Sequence, residues 1–182
     1  IQKCLGLTDT YPRSATLNIN LGKCYSELGQ TEQAITSYKK ATEHQPTWAA
    51  SYILLGQLYS SQEKSNQAIE CLKKAIDLQP ESPELYTTLA TELLQNDDAD
   101  EAIQQLKKAL AQEPNSSSTL SMLGNAYNTK GDNKLAILYY KRVLKLNPLD
   151  AISYFNMGNA LQAEGSLKAA MESYQQAVTI QP

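Results

Sequence analysis

Few residues in this chain could carry chemistry. There is a single histidine, His44. Without a second one there is no histidine pair for a metal, and neither a glycine-rich phosphate loop nor a G-x-S-x-G elbow occurs. His44 shares a column of residues spaced by 34 with Leu78, Leu146 and Ile180, which predicts a half-buried packing role. The acids Asp97, Asp98, Asp100 and Glu101 could suggest paired carboxylates or a calcium loop, but they lack the EF-hand spacing. They fall at a turn and a helix start, where the helix dipole favours negative charge, so a solvated cap is expected. The three cysteines, Cys4, Cys24 and Cys71, are odd in number, widely spaced and without a C-x-x-C pair. Neither a zinc site nor a disulfide framework is expected from them. They read as small buried or half-buried side chains in helices, and reduced thiols fit a cytoplasmic compartment. The sequon Asn115-Ser116-Ser117 would matter only in a secreted chain. No enzyme activity, metal or cofactor is expected.

Composition narrows the classes further. Hydrophobic residues make up 42% and charged residues 19%, so this is not a disordered charged tail. No apolar run is long enough to span a membrane, so no membrane insertion is expected. The net charge is −3 and the pI about 5.2. A nucleic-acid binder usually has a basic excess, so no nucleic-acid partner is expected. The chain starts at Ile1 with no charged-then-apolar leader. It reads as an excised piece of a longer protein.

The elements that would position any site follow from a repeat. Six of the seven prolines, Pro12, Pro46, Pro80, Pro114, Pro148 and Pro182, are 34 residues apart. In the same register stand Ala34, Ala68, Ala102, Ala136 and Ala170, and also Leu21, Leu55, Leu89, Leu123 and Met157. Small residues Gly22, Gly56, Ala90, Gly124 and Gly158 follow the latter. Four residues after each alanine come Tyr38, Leu72, Leu106, Tyr140 and Tyr174. Spacings of three and four put such residues on one helix face. A turn column, Gly29, Glu63, Asp97, Gly131 and Gly165, separates two stripes in each repeat, and glycine suits a left-handed helix end. Ser14, Ser82, Ser116 and Asp150 are N-caps for first helices; Trp48 breaks that column, where Thr47 could cap instead. First helices are predicted near 15–28, 49–62, 83–96, 117–130 and 151–164, and second helices near 31–44, 65–78, 99–112, 133–146 and 167–180. Residues 1–10 would form one more helix.

Leu-Gly-x-x-Tyr, then Ala, an aromatic or Leu, Ala and Pro at this period resembles the tetratricopeptide repeat over essentially the whole chain. The resemblance implies an all-α solenoid of stacked helix-turn-helix units forming a right-handed superhelix. A single array over 1–182 is expected, with 1–14 as the second half of a truncated repeat. The five repeats are 15–48, 49–82, 83–116, 117–150 and 151–182. Repeat three departs with Ala90 and Leu93 where Gly and Tyr are usual. Small residues at the Gly22 and Ala34 columns allow helices to approach closely, so Ala68→Leu or Ala102→Leu should overpack the seam by about 1–3 kcal/mol.

The resemblance also implies that first helices line a concave groove for an extended peptide or partner protein. Its columns carry Asn20, Lys23, Gln57, Thr91, Asn125, Asn128, Asn156 and Asn159, a neutral, amide-rich surface with apolar islands at Leu54 and Met122. Only Lys23 is basic there, so the carboxylate clamp of chaperone-binding members is not expected. Asn20-Leu-Gly-Lys23 and Asn156-Met-Gly-Asn159 are similar to the asparagine-lined groove of O-linked N-acetylglucosamine transferases. An asparagine amide can pair with peptide backbone without reading side chains. A solvated polar helix face is the plain alternative.

On the outer face, Lys39-Lys40, Lys73-Lys74, Lys107-Lys108 and Lys141-Arg142 form a basic ladder read as solvation. Leu135 and Leu138 interrupt the polar outer pattern and, with Tyr139, mark a possible second contact. The last stripe, Met171, Tyr174, Val178 and Ile180, has no polar capping helix after it, which suggests a continuing array or self-association through uncapped ends. The expected function is a non-catalytic protein-interaction scaffold. The alternatives are a substrate-recruiting arm of a larger enzyme, such as a glycosyltransferase, or a self-assembling scaffold.

Overall fold

The computed structural model describes residues 14–181. The further helix expected at 1–10, Cys4 and the terminal prolines Pro12 and Pro182 lie outside the described residues. Among the described residues there are ten helices and no strand: α1 Ala15–Glu27, α2 Thr31–His44, α3 Ala49–Ser60, α4 Ser65–Leu78, α5 Pro83–Gln95, α6 Ala99–Gln112, α7 Ser117–Thr129, α8 Asn133–Leu146, α9 Ala151–Ala163 and α10 Leu167–Ile180. The class is an all-α solenoid of helical hairpins. All five second helices start and stop where the prolines and turn column predict. The first helices stop one or two residues early, because their last expected residues belong to the turn.

Those turns share one hydrogen-bond pattern. The N–H of Gln30, Lys64, Asp98, Asp132 and Ser166 reaches back to the carbonyl of Tyr25, Tyr59, Leu93, Tyr127 and Leu161, at 2.8–3.0 Å. This six-to-one bond closes a Schellman motif, which needs a left-handed residue just past the helix. Gly29, Gly131 and Gly165 supply it with φ of 70°, 84° and 75°. Glu63 and Asp97 adopt the same conformation at 58° and 60°, although they carry a Cβ. The turn column is therefore fixed by backbone bonding, and the sequence tolerates strain at two of its five places.

Helix starts follow the caps. Ser14 Oγ accepts from Leu17 N at 3.3 Å, Ser116 Oγ from Thr119 N at 3.4 Å and Asp150 Oδ1 from Ser153 N at 3.4 Å. Asp98 Oδ1 accepts from Glu101 N at 3.1 Å, and Asp132 Oδ1 from Leu135 N at 3.3 Å. The acids around Asp97 thus begin α6. Thr47 does not cap α3: the residue at that position is Trp48, in extended geometry and with no side-chain cap bond. Its indole instead packs against the core of the first hairpins.

The chain divides into two compact units, Ile1–Glu92 and Leu93–Pro182. In the first, α1 pairs with α2 and α3 with α4, and α2 packs on α3. Ala15, Ile19, Ala34, Ile35, Tyr38, Ala41, Leu55, Tyr59, Ala68 and Cys71 form its core. In the second, α7 pairs with α8 and α9 with α10, while α6 packs on α7 and α8 on α9. Leu120, Leu123, Ala126, Ala136, Tyr140, Val143 and Ala160 are fully or almost fully buried there. Burying a leucine of this kind contributes roughly 1.5–3 kcal/mol.

The glycine and alanine columns sit where helices cross. A Cβ on Gly22, Gly124 or Gly158 would stand 2.5 Å from Cε1 of Tyr38, Tyr140 or Tyr174 respectively. Gly56 faces Leu72 instead, and a Cβ there would meet nothing closer than 3.3 Å. Where the second helix carries tyrosine, glycine is required beneath its ring; where it carries leucine, an alanine would fit.

His44 corrects the expectation of a half-buried packing residue: it is exposed at the last residue of α2. That column lies at the helix rim, where Leu146 is also 44% exposed. Cys24 is half-buried, and Cys71 is buried, its thiol pushed up to about 11 by desolvation and the nearby Glu70. Such a thiol is a packing group and a poor nucleophile.

Candidate functional site

Of the eight residues expected to line a groove, Asn20, Lys23, Gln57, Thr91, Asn125, Asn128 and Asn159 are exposed on first helices, and Asn156 is half-buried. They project from the side of each first helix opposite its buried leucine and glycine. Each unit presents its own set.

In the first unit the set is Asn20 and Lys23 on α1, Gln57 on α3 and Thr91 on α5. It is chemically mixed, with half-buried Leu54 and Ile53 beside Gln57. Thr91 Oγ1 donates to the Thr87 carbonyl of its own helix at 3.0 Å, which turns its proton inward. Tyr38 covers Gly22, and burial raises its phenol pKa, with Glu27 and Cys24 adding to the effect.

In the second unit the amides are tied into a network. Tyr140 donates its hydroxyl proton to Asn125 Oδ1 at 2.7 Å, and Asn156 Nδ2 donates to the same oxygen at 3.2 Å. One repeat further, the Tyr174 hydroxyl lies 2.8 Å from Asn159 Oδ1 and 2.9 Å from Gln162 Oε1, so one proton serves two acceptors. Phe155 is 52% exposed beside this network, its ring tilted by 51° against Tyr174 at 5.9 Å. The Tyr140 phenol is pushed up to about 12 by burial alone, so it stays protonated and able to donate. The sequence assigns Tyr140 and Tyr174 to the packing stripe. It does not show that their hydroxyls come out beside the first-helix amides. The signal was nonetheless present: Gly124-Asn125 with Tyr140, and Gly158-Asn159 with Tyr174, repeat as a set.

A second residue escapes the sequence reading. Glu92 on α5 is only 3% exposed. Its Oε1 accepts from Ser60 Oγ at 2.5 Å, and its Oε2 is buried without a partner. Its column otherwise reads Cys24, Leu58, Ala126 and Ala160, so one acid among small or apolar residues was the available sign.

The outer face of the second unit differs from a plain solvated ladder. Tyr127 and Tyr139 stack at 5.5 Å with planes 10° apart. Lys107 Nζ caps one ring at 5.7 Å and the Arg142 guanidinium the other at 5.7 Å. Arg142 also donates to the Pro114 carbonyl at 3.3 Å. Of the expected second contact, Tyr139 is engaged in this stack, Leu135 is half-buried and Leu138 is 51% exposed. Lys130 pairs with Asp100, which raises the lysine pKa. Among the described residues no three His, Cys, Asp or Glu side chains come together to hold a metal, and no helix is long and apolar enough to cross a membrane.

Helical hairpins with an exposed polar first-helix face define the class of repeat solenoids, which present extended surfaces to partners. The comparisons with known proteins agree. The family model described as the cytochrome c-type biogenesis protein H TPR domain matches residues 43–154, and tetratricopeptide repeat models match 16–47 and 151–182. The chain belongs to the tetratricopeptide-repeat family, whose units are generally protein-interaction modules without catalysis of their own. Among solved structures it is similar to the MamA protein, with 26% identity, 91% of each chain covered and a TM-score of 0.85. A second MamA structure is 27% identical over 88% of this chain and 94% of that one, with a TM-score of 0.82. YrrB, described as a TPR protein with an unusual peptide-binding site, shares the fold at 23% identity, 98% and 92% coverage and a TM-score of 0.84. No curated protein matches the chain.

Proposed function

We infer that the chain is an interaction scaffold that holds an extended peptide segment of a partner protein against its first-helix amides, with the second unit as the main contact. The observation that carries this reading is the bonded set Asn125, Asn156 and Asn159, exposed or half-exposed and held in place by Tyr140 and Tyr174. A merely solvated face has no need of a hydroxyl from a buried residue, as at Tyr140, to hold its amides. Phe155 beside the set adds an apolar contact for a partner side chain. The combined variant Asn125→Ala, Asn156→Ala and Asn159→Ala should retain helicity and lose partners captured by wild type. Retention of all partners would move binding away from this face.

A self-assembling scaffold is the second reading. It is favoured by Ile152, Phe155, Met171 and Val178, which are 67%, 52%, 55% and 65% exposed. Ile152, Phe155 and Val178 line an open hollow of about 270 Å³. In the preceding repeats the Met171 column is filled by Ile35, Ile69 and Ile103, which are buried, and by Ile137, which is half-buried. Sedimentation of Ile152→Glu with Val178→Glu tests it: a mass that depends on concentration in wild type and not in the variant supports self-association.

A further inference from the structure

We propose that Tyr140 and Tyr174 are positioning residues that set the polarity of the groove amides, so that the second unit offers a donor, an acceptor and a donor to the backbone of an extended, uncharged peptide. This deepens the peptide reading above and rests on it.

An asparagine side chain can turn over, exchanging its oxygen and nitrogen with little change in shape. Left alone on a solvated face, Asn125 would sample both orientations. Here the choice is made by a proton. Tyr140 is 1% exposed, and Asn125 Oδ1 is the acceptor 2.7 Å from its hydroxyl. If the amide turned over, Nδ2 would face the hydroxyl, and the phenol proton would lose this acceptor in a place with little water. A buried donor left unpaired is the costly outcome. The neighbour follows this choice: with Asn125 Oδ1 held by Tyr140, it is Asn156 Nδ2 that donates to that oxygen, at 3.2 Å. Asn125 therefore has its oxygen doubly engaged and its Nδ2 open, while Asn156 has its Nδ2 engaged and its Oδ1 open. Asn159 follows the same pattern in a more open place: its oxygen lies 2.8 Å from the hydroxyl of half-buried Tyr174, which it shares with Gln162 Oε1 at 2.9 Å, so Tyr174 favours this orientation less strongly than Tyr140 does at Asn125. The open groups then read N–H from Asn125, oxygen from Asn156 and N–H from Asn159. A peptide backbone offers carbonyl and N–H groups in alternation, which matches this order, and it does so whatever its side chains. The glycines complete the device: the tyrosine rings reach this position only because Gly124 and Gly158 carry no Cβ. In the first unit Tyr38 lies over Gly22 in the same way, but the next residue is Lys23, which has no acceptor for a phenol proton. The set of tyrosine, glycine and asparagine is thus complete only in the second unit.

The probe is a library of randomised dodecapeptides, acetylated and amidated so that no terminal charge contributes, selected on the wild-type chain and measured singly by calorimetry. Asn125→Asp with Asn159→Asp keeps an acceptor for each tyrosine and removes both open donors; affinity should fall about tenfold or more. Tyr140→Phe with Tyr174→Phe keeps both rings over their glycines and frees the amides to turn; affinity should fall about three- to tenfold. A purely structural role for the hydroxyls would not change how the peptide backbone is read. Replacing one peptide amide with an ester should therefore weaken binding to wild type clearly, and to the phenylalanine variant much less. If the phenylalanine variant binds as wild type does while the triple alanine variant binds nothing, the groove reading stands and the positioning role is overturned. If wild type selects no peptide, or peptides that ignore the triple alanine change, the groove reading fails and this inference with it.

Discussion

The two units are built on one 34-residue template and use it differently. Both bury the alanine columns completely or nearly so and close their hairpins with the same Schellman turn. In the first unit one hairpin sets tyrosine over glycine and the next sets leucine there, and the first-helix face mixes asparagine, lysine, glutamine and leucine. In the second unit both hairpins α7–α8 and α9–α10 set tyrosine over glycine, and an asparagine receives each hydroxyl. The core columns tolerate either aromatic or aliphatic filling because they ask only for volume. The exposed face does not tolerate the exchange, because only a tyrosine extends a polar tip through the hairpin to the amides. A repeat family can therefore keep its fold while gaining or losing such a bonded set of surface amides at three positions.

The sharpest way to break this comparison is to fill the glycines. Gly124→Ala should destabilise by about 1–3 kcal/mol, because its new Cβ meets the Tyr140 ring. Gly56→Ala should be near neutral, since its contacts of 3.3 Å and longer are offset by a helix-propensity gain of up to about 1 kcal/mol. Urea midpoints read both. Adding Tyr140→Leu should rescue much of the Gly124→Ala loss, and its failure to do so would disprove the pairing of glycine with tyrosine.

Alkaline titration comes next. The Tyr140 phenol titrates near 10 when unfolded and at about 12 when folded. The unfolded chain then releases its proton first, so stability is intact below pH 10 and falls as pH rises toward 12, by up to about 2 kcal/mol. Tyr140→Phe lacks this share of the loss, so its urea midpoint should fall less between pH 9 and pH 11. Equal slopes would mean that the ring is less enclosed than its burial indicates.

In the first unit, Glu92 offers a change in the opposite direction. Its buried Oε2 has no partner, and Ser60 is only half-buried and can turn to water. Glu92→Ala restores the small residue of the matching columns and should stabilise by about 1 kcal/mol. A lower melting temperature in the variant would show instead that the Ser60 bond outweighs the desolvation. The smallest effects belong to the turns. Glu63→Gly should gain about 0.5–1 kcal/mol by relieving a left-handed residue, while Gly131→Ala should lose about 1 kcal/mol. Differential scanning calorimetry would resolve the two signs.

Much of the fold was legible because it depends on spacing. Prolines fix where second helices stop, and the turn column fixes where first helices end, even at Glu63, where the residue itself argues against it. The exposure of the first-helix amides was legible for the same reason. His44 was misread because a column shared with leucine says nothing about how far the rim is covered. Thr47 was misread because the extended backbone at Trp48 leaves that position without a side-chain cap. The roles of Tyr140, Tyr174 and Glu92 were hidden because periodicity assigns a residue to a face, while these side chains act at their tips, across to another helix.

The hydrogen bonds between repeats also bear on how the chain comes into being. Ser60 to Glu92 spans 32 residues, Asn156 to Asn125 31, Lys130 to Asp100 30 and Arg142 to Pro114 28. Each reaches only into the adjoining repeat. Chains with such short loops to close fold quickly, because little entropy is lost before a contact forms. A hairpin leaving the ribosome has its partners among roughly the last thirty or forty residues made, so it can dock as synthesis proceeds. Little apolar surface then waits for a distant segment, and aggregation during synthesis has correspondingly little to act on.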